Sequence, residues 1–132
     1  MKIGVLGGTF DPVHIGHLIL AEEACYRLAL TRVLWVLTPD PPHKTGKTVL
    51  GWQDRWRMLQ LALAGNDAFE LCDVDIQRAP PYYAVDTMGM LKKKYPSDLL
   101  IYLIGGDSLR DLPSWHNPNK RIAVSDGLGV II

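Results

Sequence analysis

Residues 7–17 read Gly7-Gly8-Thr9-Phe10-Asp11-Pro12-Val13-His14-Ile15-Gly16-His17. A short apolar run, Ile3–Leu6, precedes them, and an amphipathic run, Leu18–Leu30, follows. This order predicts a strand, a glycine-rich loop and a helix. If the helix begins near Gly16, the two histidines lie one turn apart on one side of its positive end.

The glycines of this loop indicate a site for an anion. Gly7 and Gly8 carry no side-chain bulk, so backbone N–H groups can approach a ligand. A helix N-terminus with such donors suits a polyphosphate. The simpler alternative is a tight strand-to-helix turn whose histidines only cap the helix, but so many glycines and histidines in eleven residues favour function.

Three better-known motifs do not match. Gly4, Gly7 and Gly8 lack the spacing of the dinucleotide fingerprint, and Gly46-Lys47-Thr48 would need a P-loop glycine where Pro41 stands. Two histidines are too few for a zinc site, and no cysteine or carboxylate stands at a matching spacing nearby.

Composition predicts one soluble domain over residues 1–132. The chain is 48% hydrophobic and 21% charged, which is ordinary for a globular protein. Fourteen basic and 14 acidic residues give zero formal net charge, which argues against nucleic-acid or anionic-membrane binding as the main activity. No apolar run approaches the ~18 residues of a membrane span.

The cellular compartment is predicted from the N-terminus and the cysteines. The N-terminus enters a strand at once and lacks the layout of a signal peptide. We expect Cys25 and Cys72 to be buried, reduced thiols rather than a disulfide, and therefore a cytoplasmic protein.

Alternating strands and helices predict an α/β fold. The apolar run Val33–Leu37 completes a strand–helix–strand unit of about 35 residues, which implies a right-handed parallel crossover. Further strands are predicted at Phe69–Ile76, Leu99–Ile104 and Leu128–Ile132, and further helices at Trp52–Ala64 and Tyr83–Tyr95.

Two more loops leave the carboxyl ends of predicted strands, where open α/β sheets bind ligands. The Pro-rich loop 38–48 carries Lys44 and Lys47, which suit phosphates or are simply solvated. The predicted strand Leu99–Ile104 leads to Gly105 and Asp107. Asp107 suits the hydroxyls of a ribose or the cap of a short helix, and both roles are compatible.

The pattern Gly-Gly-Thr-Phe-Asp-Pro-x-His-x-Gly-His resembles the signature of the nucleotidylyltransferase superfamily, and most closely that of bacterial nicotinate-nucleotide adenylyltransferases. The resemblance implies a Rossmann-like nucleotidylyltransferase fold, with a parallel sheet and helices on both faces. It also implies an enzyme of NAD biosynthesis that transfers AMP from ATP to nicotinate mononucleotide and releases pyrophosphate. Mg²⁺ would be held through the phosphates, with no metal ligand from the protein.

The resemblance assigns site residues by position. The expected catalytic residues are His14, His17 and Lys44. The expected ATP-binding residues are Gly7, Gly8, Thr9, Phe10, Gly16, Gly105, Asp107 and Ser108. The expected mononucleotide-binding residues are Ala84, Thr87, Trp115 and His116, with Trp115 stacking on the pyridine ring. Arg55 matches a basic position of the family, and a solvated arginine is the alternative.

The sequence departs from the family in two places. Tyr82 and Ala84 stand where the family has Ser and Thr. The replacement is tolerated if backbone N–H groups hold the pyridine carboxylate, and it weakens substrate binding if a hydroxyl is needed. The family continues beyond this chain to a Ser/Thr-rich, Arg-containing phosphate motif, so we expect a C-terminally truncated domain. The last strand would then leave an exposed edge that favours self-association into a homo-oligomer.

Three alternatives stay open at this point. The chain is a nucleotide-binding fragment with weak turnover, or it is another adenylyltransferase of the superfamily, such as one for phosphopantetheine, or it is a small cytidylyltransferase. The sequence also leaves open whether the acid or the amide mononucleotide is preferred.

Overall fold

A computed structural model describes residues 1–39, 50–105 and 127–131. The elements are β1 Lys2–Gly8, α1 Ile15–Leu28, β2 Arg32–Leu37, α2 Trp52–Leu63, β3 Phe69–Cys72, α3 Ala84–Lys94, β4 Leu99–Gly105 and β5 Gly127–Ile131. The strands and helices predicted within the described residues are present; the short helix predicted after Asp107 lies outside them. Helix α1 ends earlier than Leu30, because Ala29 adopts a left-handed conformation with φ 52° that closes the helix.

The five strands form one parallel sheet in the order β3-β2-β1-β4-β5. The chain progresses outward from β1 in one direction through β2 and β3, and in the other through β4 and β5. The order therefore reverses between β1 and β4, and a crevice forms at the carboxyl ends of the strands near such a point. The predicted parallel α/β fold is confirmed.

Helices cover both faces of the sheet. Ala21 and Ala24 of α1 and Leu59 of α2 belong to one core cluster, whereas Met88 and Leu91 of α3 belong to another. Strand residues alternate between the two clusters, as the two-residue period of a strand requires. In β2, Val33, Trp35 and Leu37 join the first cluster, and Leu34 and Val36 join the second.

The predicted strand Phe69–Ile76 is wrong at its C-terminal end. Strand β3 ends at Cys72 and a turn follows, in which the N–H groups of Gln77 and Arg78 donate to the carbonyls of Asp73 and Asp75. The apolar pattern continues because Val74 and Ile76 still pack against the two core clusters from this turn. Apolar spacing alone does not separate these two geometries.

Both cysteines are free thiols, as expected; Cys72 is buried and Cys25 half-buried. Burial raises the pKa of each thiol. Among the described residues, no helix has the length and apolar character needed to cross a membrane. A cytoplasmic location stays a prediction.

Candidate active site

The two histidines of the loop cap the helix that follows them. His14 is the N-cap of α1, and its Nδ1 accepts a hydrogen bond from the N–H of Gly16 at 3.1 Å. The N–H of His14 donates in turn to Nδ1 of His17 at 3.0 Å. This is a reciprocal capping box. The rings stack with their centroids 3.8 Å apart, so the predicted pairing on one side of the helix is confirmed.

The caps also decide which ring nitrogens can bind a ligand. Each Nδ1 accepts a hydrogen bond, so the proton of each neutral imidazole lies on Nε2. Within the described part of the chain, neither Nε2 has a hydrogen-bond partner. The capping interpretation and the functional one are therefore compatible. One nitrogen of each ring builds the helix end, and the other is left as a donor for an anion.

Burial lowers the pKa of His17 from its ordinary value of 6.5, and the neighbouring His14 lowers it further. The neutral ring with its Nε2–H is thus favoured near neutral pH. Protonation would also place a hydrogen on the Nδ1 that accepts from His14, and the cap would be lost.

Gly16 is required by the histidine beside it. A Cβ at this position would lie 2.9 Å from a ring carbon of His14, a distance that side chains essentially never adopt. Any larger residue would displace the imidazole. The glycine of the H-x-G-H motif therefore permits the cap and fixes the ring.

Phe10 lies in the core rather than on the ligand side of the loop. Its ring is 3% exposed, and its centroid lies 5.0 Å from that of His17 and 5.5 Å from that of Trp35. A Cβ on Gly8 would contact the same ring at 3.4 Å. Any contact of Phe10 with ATP would have to come from its main chain.

Arg55 is buried, and the alternative of a solvated arginine is wrong. It is 1% exposed, and its guanidinium donates to the carbonyl oxygens of Leu50, Thr9, Thr38 and Pro39 at 2.6–2.8 Å. Thr9 belongs to the loop after β1, and Thr38 and Pro39 to the loop after β2. One side chain from α2 therefore holds the two loops together at the carboxyl end of the sheet.

A cavity of about 200 Å³ opens beside these loops. Its walls come from β1, β2 and β4, from the turn after β3 and from the beginning of α3. The lining residues are Val5, Gly7, Gly8, Val36, Thr38, Asp75, Tyr82, Ala84, Thr87 and Tyr102. The fold thus brings together four residues that were assigned from sequence to two different ligands: Gly7 and Gly8 for ATP, and Ala84 and Thr87 for the mononucleotide.

A hydrogen-bonded network joins two residues of the cavity wall, Asp75 and Thr87, to Arg78, which is not among the lining residues. The hydroxyl of Thr87 donates to Oδ1 of Asp75 at 2.8 Å and accepts from Arg78 at 2.9 Å. Arg78 also donates to Asp75 at 3.1 Å and to the carbonyls of Pro81 and Tyr83. Burial raises the pKa of Asp75, and the donors Thr87 and Arg78 oppose that rise.

A model of the cytidylyltransferase-like family matches residues 5–127. The chain belongs to the cytidylyltransferase-like family. It is 47% identical over 131 residues to the "Probable nicotinate-nucleotide adenylyltransferase" of Thermomicrobium roseum, which covers 99% of this chain and 61% of that protein. It is 41% identical over 129 residues to the protein of the same name from Bacillus cytotoxicus, which covers 98% of this chain and 68% of that protein. The predicted relationship to nicotinate-nucleotide adenylyltransferases is confirmed.

A solved structure supports the same fold. The nicotinic acid mononucleotide adenylyltransferase of Plasmodium falciparum, complexed with NaAD, aligns with a TM-score of 0.76 at 14% identity. The alignment covers 98% of this chain and 74% of that one. The Rossmann-like nucleotidylyltransferase fold predicted from the sequence is thereby confirmed for this member of the cytidylyltransferase-like family. The chain spans about three fifths of the T. roseum relative.

Several family positions lie outside the described residues. Lys44 and Lys47 fall within 40–49, and Asp107, Ser108, Trp115 and His116 fall within 106–126. Gly105 is described as the last residue of β4. The roles assigned to all of these residues stay predictions. Within the described ranges, no group of three or more His, Cys, Asp or Glu side chains is arranged to hold a metal ion.

Sequence reasoning missed Asp75 and Arg78 and left Arg55 undecided. A weak signal for the first pair was available, because an Asp three residues before an Arg is well spaced for a bond within a turn. Its connection to Thr87 depends on how α3 packs against the turn, which no local pattern reports.

Proposed function

We propose that the chain carries the adenylyl-transfer site of a nicotinate-nucleotide adenylyltransferase. The substrates are ATP and nicotinate mononucleotide, and the products are nicotinate adenine dinucleotide and pyrophosphate. The proposal rests above all on the stacked pair of His14 and His17. Their two Nε2–H donors stand at a helix N-terminus, in the loop whose glycines line the cavity. The names of the relatives support the choice of substrates.

The chemistry asks for positioning rather than proton transfer. The 5′-phosphate of the mononucleotide attacks the α-phosphorus of ATP in line, the bond to the bridging oxygen breaks, and pyrophosphate leaves with that electron pair. The nucleophile is already an anion at neutral pH, so no general base is needed. Catalysis then comes from orientation and from donors aimed at the charge on the α-phosphate and the leaving group.

In this proposal, His14 and His17 donate from Nε2 to phosphate oxygens, and the N-terminus of α1 adds a fixed dipole. Arg55 does not contact the phosphates. It holds the loop after β1 at a set distance from the loop after β2, which leads into the segment with Lys44. Lys44 is proposed to contact the outer phosphates of ATP.

Mg²⁺ is proposed to enter with ATP. The described residues offer no cluster of metal ligands, which suits an ion that keeps several waters and binds mainly through phosphate oxygens. When bound, it would neutralise charge on the polyphosphate.

The test separates capping from catalysis. Asp is a good N-cap, and Glu at the third helical position completes a capping box, so His14→Asp and His17→Glu keep helix α1 while removing the side-chain N–H donors. We expect unchanged melting temperatures and pyrophosphate release reduced about a hundredfold or more in each variant. Wild-type rates in both variants would contradict the proposed role.

The wild-type chain is assayed with Mg²⁺-ATP and, in turn, nicotinate mononucleotide, its amide and phosphopantetheine. Turnover with the first supports the proposed substrate, and turnover only with the last contradicts it. Binding of the mononucleotide without turnover would instead favour the nucleotide-binding alternative.

A further inference from the structure

The carboxylate of Asp75 has one occupied and one open oxygen. Thr87 and Arg78 both donate to Oδ1, at 2.8 and 3.1 Å. Across the described ranges, no donor reaches Oδ2. Asp75 is nevertheless only 3% exposed, and it lines the cavity. Oδ2 is therefore the atom of this side chain that remains for an occupant of the cavity.

A buried carboxylate oxygen favours a hydrogen-bond donor and repels an anion. Leaving such an acceptor without a donor is unfavourable, and water or a ligand can supply one. No lysine or arginine is among the described residues that line the cavity; Arg78, which donates to Asp75, is not one of them. The group that fits against Oδ2 is therefore a hydrogen-bond donor of the ligand itself, such as a hydroxyl.

Arg78 holds this acceptor in a fixed direction. Besides Asp75 and Thr87, its guanidinium donates to the carbonyls of Pro81 and Tyr83, which lie in the segment that leads into α3. Its central carbon also lies 5.3 Å from the ring centroid of Tyr82, another residue of the cavity wall. Oδ2 and the beginning of α3 are thus held by the same side chain.

We infer that Asp75 binds a ribose hydroxyl of the mononucleotide through Oδ2, with Arg78 and Thr87 as positioning residues. This inference rests on the proposed function and deepens it. The phosphate and the pyridine carboxylate of that substrate are anionic acceptors, so its ribose hydroxyls are the groups able to donate. The cavity, at about 200 Å³, is smaller than the ~300–1,000 Å³ of pockets for drug-sized ligands and suits one sugar-sized group.

Asp75→Asn is a sharp test because the network orients the new side chain. The guanidinium of Arg78 can only donate and needs an acceptor at Oδ1, so the amide oxygen takes that place and the NH₂ group takes the place of Oδ2. The open acceptor becomes a donor at almost constant volume. We expect the KM for nicotinate mononucleotide to rise about tenfold to a hundredfold, while the KM for ATP changes less than twofold.

Asp73→Asn is the matched control. Asp73 lies two residues away, is exposed, and accepts a hydrogen bond from Gln77 at 2.9 Å. We expect this variant to have the wild-type KM values for nicotinate mononucleotide and for ATP. An equal rise in both KM values for Asp75→Asn, or a loss of folding with normal kinetics in the folded fraction, would assign Asp75 a structural role and overturn the inference.

Deoxy substrates identify the contact directly. The 2′-deoxy or the 3′-deoxy mononucleotide should bind the wild-type chain about tenfold or more weakly, and Asp75→Asn should add no further loss with that analogue. If, for both analogues, the affinity lost through Asp75→Asn simply added to the affinity lost through the missing hydroxyl, the ribose contact would be overturned. If Asp75→Asn weakened binding of the amide mononucleotide alone, Asp75 would contact the ring substituent, and the ribose contact would again be overturned.

The inference and the proposed function can fail separately. Normal wild-type turnover with an unaffected Asp75→Asn variant rejects the inference alone. If the wild-type chain binds the mononucleotide in a calorimetric titration but does not turn over, the same variants and analogues are compared by Kd, with the same expected ratios. Absence of both turnover and mononucleotide binding rejects both.

Discussion

Two arginines near the candidate site, Arg55 buried and Arg78 half-buried, work differently. Arg55 donates to main-chain carbonyls of three segments, whereas Arg78 donates to a carboxylate, a hydroxyl and two carbonyls. The first fixes the path of the backbone around the histidine loop. The second directs one side chain, Asp75, at the cavity. One arginine is thus used to hold loops together and the other to orient a ligand-binding side chain.

The largest effect that tests this comparison is expected at Arg55. Lysine keeps the charge but cannot present the planar fork that reaches carbonyls on three segments. Because buried carbonyl groups then lose their donors, we expect Arg55→Lys to lower the free energy of unfolding by about 2–5 kcal/mol, measured by urea denaturation. Arg57→Lys, at an exposed position of the same helix, should change it by less than about 0.5 kcal/mol. Equal effects at both positions would mean that the fork does not hold the loops.

A smaller and pH-dependent effect is expected at Arg78. Arg78→Met leaves the Asp75 carboxylate with Thr87 alone, so the pKa of Asp75 should rise further above its usual 3.8. Below the ordinary value of 3.8 the carboxyl is protonated in both folded and unfolded chains, so the variant loses little stability through Asp75. As pH rises, the unfolded chain ionises first and the folded state loses stability. We therefore expect a cost of about 1–3 kcal/mol near pH 7 that shrinks toward pH 4, from denaturation curves at both values. A cost independent of pH would indicate lost packing rather than a lost ion pair.

The smallest expected effect concerns His17. Here stability falls as pH falls, the opposite of the pH dependence expected for Arg78→Met. Its pKa is lowered in the folded chain, so the unfolded chain takes up the proton first as pH falls through the ordinary value of 6.5. Stability linked to His17 is fully present above that value and declines below it. Melting temperatures measured from about pH 8 to about pH 5 should show this decline in the wild-type chain, and less of it in His17→Gln. An identical decline in both would assign it to other groups.

The histidine loop of the candidate site could be predicted from the sequence because its contacts are local. His14, Gly16 and His17 lie within four positions of each other, and their hydrogen bonds follow from the geometry of a helix N-terminus. The strands were predictable because buried parallel strands form short apolar runs between turn signals. The end of β3 was not, since Val74 and Ile76 continue the apolar spacing from within a turn.

By itself, the sequence determined the order of strands and helices and the histidine pair, because each depends on residues a few positions apart. The alternation of strands and helices also indicated parallel pairing, because a strand–helix–strand crossover joins parallel strands. Only the tertiary structure decided the roles of Arg55 and Asp75 and the contact of Asp75 with Thr87. Arg55 meets Thr9 across 46 positions, and Asp75 meets Thr87 across 12. Such contacts require the sheet to bring the loops together, and burial then turns an ordinary arginine or aspartate into a group whose hydrogen bonds shape the site.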